Sequence, residues 1–325
     1  MTSEDKSPNS EEAWPQDHSR REFVALSAAA GLAVSAGTAS AAEHAAHGAR
    51  GAHTAHVVEK DVEITTPDGT CDAAYFHPAS GKHPGVIIWT DIFGLRPTFR
   101  RDFGRRLAAA GYTVLIPNPF YRTQKAPVIE EAQIATFNFR DPATRQKMGA
   151  WTAPINKQGA IESDAKAYVG WLDTQPEVDT DKKMGVQGYC MGGPLVFKTV
   201  ASQSDRIGAG ATFHGGGLVA EDKDGTVKPD SPSNLIPQFR AQMYIAIAAS
   251  DDKTQPDAKD KLKAGVMASQ DPKVQKSTVV VYTGTFHGWT VPDMPHQPDG
   301  MATYNKAGAE RAWRHLLELY KANLA

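Results

Sequence analysis

Gly188-Tyr189-Cys190-Met191-Gly192 constrains the fold of this chain more than any other stretch. It has the G-x-nucleophile-x-G spacing of a sharp strand-to-helix elbow, with cysteine where most such elbows carry serine. The residues before it, 183–187, read as a short strand, and those from Gly193-Pro194-Leu195 to Ser202 read as a helix. Strand and helix approach closely at such a turn, which leaves room only for glycine at 188 and 192. The turn also aims the Cys190 sulfur out of the backbone, near the positive end of the helix, where a thiolate is favoured. A five-residue pattern recurs by chance; the flanking strand and helix make this one specific.

The rest of the chain from residue 57 onward suits that elbow. Residues 57–65 and 70–78 flank the turn Pro67-Asp68-Gly69 and pair as an antiparallel hairpin. Val86-Ile87-Ile88-Trp89 is a continuous apolar run, as expected of a strand buried on both faces. Phe99, Phe103 and Leu107 then repeat every four residues, a helical stripe ended by Gly111. Further buried strands are expected at 112–117, 209–213, 243–248 and 278–282. Helical stripes follow Ile161, Ala165, Tyr168 and Leu172, and Trp313, Leu316, Leu317 and Tyr320. Alternating strands and helices predict an α/β fold, a mainly parallel, doubly wound sheet with an N-terminal antiparallel hairpin; the nucleophile elbow within it resembles that of the α/β-hydrolase fold. The active site of such a sheet lies at the carboxyl ends of its strands, where Cys190 sits.

A thiol nucleophile needs a base, and the base an orienter. In this fold the order along the chain is nucleophile, acid, histidine. Ala248-Ala249-Ser250-Asp251-Asp252 leaves one predicted strand and Phe286-His287-Gly288-Trp289 leaves the next. His287 is therefore the expected base and Asp252 the expected acid, with Asp251 the alternative. Thr90-Asp91-Ile92-Phe93-Gly94 occupies the loop after the third strand, so the backbone N–H groups of Ile92 and Met191 are the expected oxyanion donors. Asp91 is then a carboxylate near the thiol. His214-Gly215-Gly216-Gly217 looks like a lipase oxyanion sequence, yet it follows the nucleophile and reads as a glycine-rich strand exit, with His214 a candidate to face the pocket. The long segment 123–159 carries Phe137, Phe139, Met148 and Trp151. It either caps the pocket or packs its own apolar face.

Asp91-Ile92-Phe93-Gly94, Asn118-Pro119-Phe120-Tyr121-Arg122, the elbow with Gly193, the Asp252 turn and His287-Gly288-Trp289 together resemble the dienelactone hydrolase family, from about Val57 to the C-terminus. The resemblance implies a compact hydrolase of cyclic or activated esters that uses a Cys-His-Asp triad and no cofactor, with Cys190 as nucleophile, His287 as base and Asp252 as orienter. Its partner would be a small-molecule ester or lactone; a general carboxylesterase and a non-catalytic binding protein are the alternatives. Two departures stand out. The family's glutamate in the E-I-F-G loop is here Asp91, one methylene shorter. Of the two arginines that hold a substrate carboxylate, Arg122 matches the first, but the second falls on Val291. The resemblance makes Asp91 and Arg122 a pair expected to tune the thiol and bind substrate.

The N-terminal region reads differently. Ser19-Arg20-Arg21-Glu22-Phe23-Val24 resembles a twin-arginine export signal, followed by a mild apolar stretch and the small-x-small site Ala39-Ser40-Ala41. Residues 1–41 are therefore an expected signal peptide read by the twin-arginine machinery, and the mature chain is exported to the periplasm or beyond. Residues 42–56 form an Ala/Gly/His linker, and 57–325 the hydrolase domain. The apolar stretch is too interrupted for stable membrane insertion. With 35 basic and 37 acidic side chains, nucleic acid is not an expected partner. His44, His47, His53 and His56 have metal-like spacing, but no acidic or cysteine partner is near, so no metal is assigned. Cys71 and Cys190 are expected to be free thiols rather than a disulfide.

Overall fold

A computed structural model describes residues 56–324. Eight strands form one sheet: β1 (Val57–Thr66), β2 (Gly69–Pro78), β3 (Gly85–Trp89), β4 (Thr113–Pro117), β5 (Met184–Tyr189), β6 (Ile207–Phe213), β7 (Gln242–Ala248) and β8 (Thr278–Tyr282), in the spatial order β1-β2-β4-β3-β5-β6-β7-β8. The pairs β1–β2 and β2–β4 are antiparallel and all others parallel. The expected α/β-hydrolase sheet with its N-terminal hairpin is what the chain forms.

Residues along each central strand alternate between two cores, as the two-residue period of a strand dictates. Ile87 and Trp89 of β3, Val186 of β5 and Met243, Ile245 and Ile247 of β7 face one core. Val86 and Ile88, Val114 and Ile116 of β4, and Tyr244 and Ala246 face the other. The first core is covered by α4 (Ala160–Asp173), α5 (Gly192–Ser202) and α7 (Ala258–Met267). The second is covered by α9 (Lys306–Asn323) and by a helix whose opening, Phe99–Arg105, is wound as a π-helix and runs into α1 (Arg106–Ala109). β3, β4, β5 and β6 are buried at every residue, and β3 and β4 accordingly carry the apolar runs Val86–Trp89 and Val114–Ile116. Among the described residues the remaining helices are α2 (Glu131–Ile134), α3 (Pro142–Thr152), α6 (Ala249–Thr254), α8 (Pro272–Gln275) and a 3-10 helix, Pro232–Gln238. Among the described residues no helix is long and apolar enough to cross a membrane. The expected signal peptide, its cleavage site and all linker histidines but the exposed His56 lie outside the described residues.

Candidate active site

The elbow joins β5 to α5. Cys190 takes φ +52°, one of two non-glycine residues in the left-handed region among the described residues, the other being His214 at +42°. Such a conformation costs a side-chain-bearing residue about 1–2 kcal/mol and persists only where its surroundings enforce it. The glycines are enforced by contact. A Cβ on Gly188 would stand 2.4 Å from the Gly192 carbonyl oxygen, and one on Gly192 would stand 2.6 Å from that of Trp89 and 2.8 Å from that of Thr90. Gly192 thus lies on the exit of β3, which brings Met191 beside the loop carrying Ile92. Neither the Ile92 nor the Met191 N–H has an intramolecular acceptor among the described residues. A Cβ on Gly193 would stand 2.6 Å from Gly215 Cα, so the glycine-rich exit of β6 serves close packing against the start of α5. The Gly216 N–H also donates to the Cys190 carbonyl, at 3.3 Å.

His287 leaves the sheet after β8. Its backbone N–H donates to Ser250 Oγ at 2.9 Å, and its ring Nδ1 lies 2.9 Å from Asp251 Oδ2. An ionised carboxylate only accepts, so Nδ1 carries the proton and Nε2 is left for the thiol side. The structure therefore corrects the expected acid: Asp251, not Asp252, meets the histidine. The two lie in α6, where adjacent side chains diverge by roughly 100°, so only one of them can face His287. Asp252 turns to Lys259 Nζ, 2.8 Å away.

Burial lowers the pKa of His287, but the negative charge and hydrogen bonding of Cys190 and the Asp251 carboxylate outweigh it and hold the ring well above its ordinary value. His214 goes the other way. It is fully buried, its Nε2 is 2.8 Å from Thr290 Oγ1, and its ring centroid is 5.3 Å from that of His287. Burial, then the neighbouring His287 charge, push it well below the ordinary value, so it is a neutral ring. Its Nδ1 has no hydrogen-bond partner among the described residues. His214 packs against the His287 ring but, fully buried, is not among the residues lining the cavity beside Asp251.

The expected pair of Asp91 and Arg122 does not form. Both oxygens of Asp91 are taken by Arg96, at 2.7 and 2.9 Å, and Oδ1 also accepts the Phe93 N–H at 2.9 Å. Arg122 is bidentate to the buried Asp164, 2.8 Å for each bond, and its Nε reaches Asp68 at 2.8 Å. Its guanidinium lies over the Tyr121 ring. The methylene that Asp91 lacks relative to glutamate does not decide its contacts: Asp91 has another partner, Arg96, five residues on, which the sequence reading missed. Ser250, Thr290 and Asp293 were missed as well; each acts through a contact more than thirty residues distant.

In the segment 123–159, Trp151 is buried and Phe137 packs edge-on against Phe93 of the loop after β3, with ring centroids 4.9 Å apart. Phe139 joins the same cluster yet stays 40% exposed. The segment packs its apolar face, and it does so against the candidate site. A cavity of about 190 Å³ opens beside Asp251, with Gly216, Leu218, Ile247 and Gln255 among its walls. The other cysteine, Cys71, is also free. It is fully buried and takes the Tyr168 hydroxyl at 3.2 Å, and burial above all pushes its thiol up to about 12, so it is inert. Among the described residues no cluster of His, Cys, Asp and Glu could hold a metal ion.

Residues 71–324 match the Dienelactone hydrolase family. The chain belongs to that family. A protein of Synechocystis sp. provisionally named a carboxymethylenebutenolidase is 24% identical over 76% of this chain and 89% of its own length. The carboxymethylenebutenolidase of Rhodococcus opacus is 29% identical over 43% of this chain and 48% of its own. The solved structure of m3DLH superposes on 83% of this chain and 99% of its own with a TM-score of 0.63 at 22% identity, a likeness of fold. This dienelactone hydrolase family member is accordingly an enzyme, a hydrolase acting on carboxylic ester bonds.

Proposed function

We propose that the chain hydrolyses lactones or small activated esters through an acyl-enzyme on Cys190, in the manner the carboxymethylenebutenolidase names of its relatives suggest. The observation that carries this reading is the 2.9 Å bond from His287 to Asp251, at the same sheet edge as a cysteine held at φ +52°. The Cys190 thiolate attacks the carbonyl carbon and the carbonyl π pair moves to oxygen, where the Ile92 and Met191 N–H groups receive it. As the tetrahedral centre collapses, the C–O bond to the leaving group breaks and protonated His287 gives that oxygen its proton. In a lactone the leaving alkoxide stays tethered to the acyl chain. Neutral His287 then takes a proton from water, the hydroxide attacks the thioester, and the C–S bond breaks to return thiolate, imidazolium and a carboxylic acid, which loses its proton to solvent. Asp251 fixes the tautomer and stabilises the charged ring throughout.

Cys190→Ala tests the reading: the folded variant should lose turnover across a panel of lactones and aryl esters, whereas wild-type-like rates would refute a thiol nucleophile. Relative rates on that panel separate a lactonase from a general carboxylesterase. Export by the twin-arginine route completes the proposal, on the strength of Arg20-Arg21 and Ala39-Ser40-Ala41. Replacing both arginines by lysine should trap precursor in the cytoplasm; unchanged export would contradict it.

A further inference from the structure

Arg96 is the largest buried charged side chain in the described chain, with none of its side chain exposed. A guanidinium has five N–H donors, and all five are used. Nη1 donates to Asp91 Oδ1 at 2.7 Å and to the Gly94 carbonyl at 3.2 Å; Nη2 donates to Asp91 Oδ2 at 2.9 Å and Asp293 Oδ1 at 2.8 Å; Nε donates to Asp293 Oδ2 at 2.7 Å. The group is also flanked by the rings of Phe93 and Phe99, 5.4 and 4.9 Å from Cζ. Two of its partners, Asp91 and Gly94, bracket Ile92. The third, Asp293, ends the loop that begins at His287.

We propose that Arg96 is a positioning residue, a buried clamp that holds the oxyanion loop, residues 91–94, at a fixed offset from the His287 loop. The inference rests on the acyl-transfer reading, with Ile92 as an oxyanion donor. The His287 loop is the fixed side. Its backbone is tied to Ser250, Trp289 stacks on Tyr282 with centroids 4.2 Å apart, and Trp289 and Val291 close turns onto Phe286 and Gly288. The oxyanion loop has less of its own: one turn from Gly94 N to Asp91 O, and the Phe93 N–H on the Asp91 carboxylate that Arg96 itself orients. A buried ion triad contributes little stability beyond apolar packing of the same volume, so what it adds is a defined geometry. With every donor of Arg96 and both oxygens of Asp91 engaged, neither is free to take the thiol proton or a substrate carboxylate. Asp91 shapes the loop and does not relay charge.

The test compares full-length wild type with Asp293→Asn and Arg96→Lys. Asp293 is the partly exposed end of the clamp, so its variant is the one expected to fold normally. Lysine keeps the charge but cannot form two bidentate pairs. On p-nitrophenyl acetate, kcat should fall about 10- to 100-fold with KM within about threefold, because misplacing a donor costs transition-state binding alone. The rate of Cys190 alkylation by iodoacetamide needs no oxyanion donor and should stay at the wild-type value. Hydrogen exchange of the amides at 92–94 should accelerate by more than any loss of global stability accounts for. Turnover within about twofold of wild type, or alkylation falling in step with turnover, would overturn the clamp. Should wild type hydrolyse no ester or lactone, the acyl-transfer reading itself fails; unchanged exchange at 92–94 would then independently overturn the clamp.

Discussion

Exchanging Asp251 for Asn removes one charge, keeps the side chain's size, and acts on a single contact, the 2.9 Å bond to His287 Nδ1. A hydrogen bond to a charged partner contributes about 1.5–3 kcal/mol. At ~1.4 kcal/mol per factor of ten, that is about 10- to 150-fold in kcat/KM. The two side chains are 29% and 36% exposed, so solvent screening places the expectation in the lower part, about 10- to 50-fold. Asp252→Asn removes the same charge from the neighbouring residue. Its pair with Lys259 is 24% and 29% exposed, a surface ion pair contributing about 0–1 kcal/mol to stability, and activity should stay within about twofold. The assay is initial-rate hydrolysis of p-nitrophenyl acetate from pH 6 to 9, with active enzyme counted by Cys190 titration and folding checked by thermal melts. The double variant should match Asp251→Asn alone. A loss in Asp252→Asn equal to or greater than that in Asp251→Asn would refute the assignment, as would an Asp251→Asn enzyme within twofold of wild type.

Two more outcomes follow from the charges around the site. In an NMR titration the His287 ring should keep its proton well above the ordinary value near 6.5, and Cys190→Ala should move the midpoint down, because it removes a negative charge and a hydrogen bond from the ring. Since the folded value is the raised one, the stability from ring protonation is complete below pH ~6.5 and is lost as pH rises through the folded value; melts against pH should show that loss at lower pH in Cys190→Ala, and identical midpoints would contradict the coupling. Arg122→Ala leaves the buried Asp164 carboxylate without its cation and should cost about 3 kcal/mol in urea unfolding. The ratio of rates on neutral and carboxylate-bearing esters should hardly change. A stable variant that selectively loses the anionic esters would return Arg122 to substrate binding.

What the sequence made legible is what local rules encode. The elbow needs glycines at 188 and 192 because backbone atoms pass within reach of any Cβ, and that need is written into five consecutive residues. β3 and β4 are buried on both faces and read as apolar runs. Strand ends shifted by a residue or two, as at β5, where pairing runs on to Tyr189. The acid was not legible. Ala-Ser-Asp-Asp-Lys-Thr has no apolar stripe to set the phase of α6, so its sequence does not say which aspartate faces the histidine. The short helices α2, α3, α7 and α8 were passed over for a related reason: each is a turn to three long or weakly amphipathic, and packing rather than periodicity defines it.

The clamp was hidden for a different reason. Arg96 follows Leu95 and precedes Pro97, a setting that by itself reads as a surface turn, and its second carboxylate comes 197 positions later. Only closure of the sheet brings the loops after β3 and β8 together. His214, beside His287, sits at φ +42° with its Nδ1 unpartnered among the described residues. Local pattern thus identifies which residue types carry the chemistry, whereas the groups that hold them in register are set by topology. A family resemblance therefore transfers Cys190 and His287 more safely than it transfers the partners of Asp91. The loop aspartate kept its place in the motif while its ion pair passed to an arginine on its own loop, and that exchange turns a residue expected to move protons into one that holds a backbone N–H still.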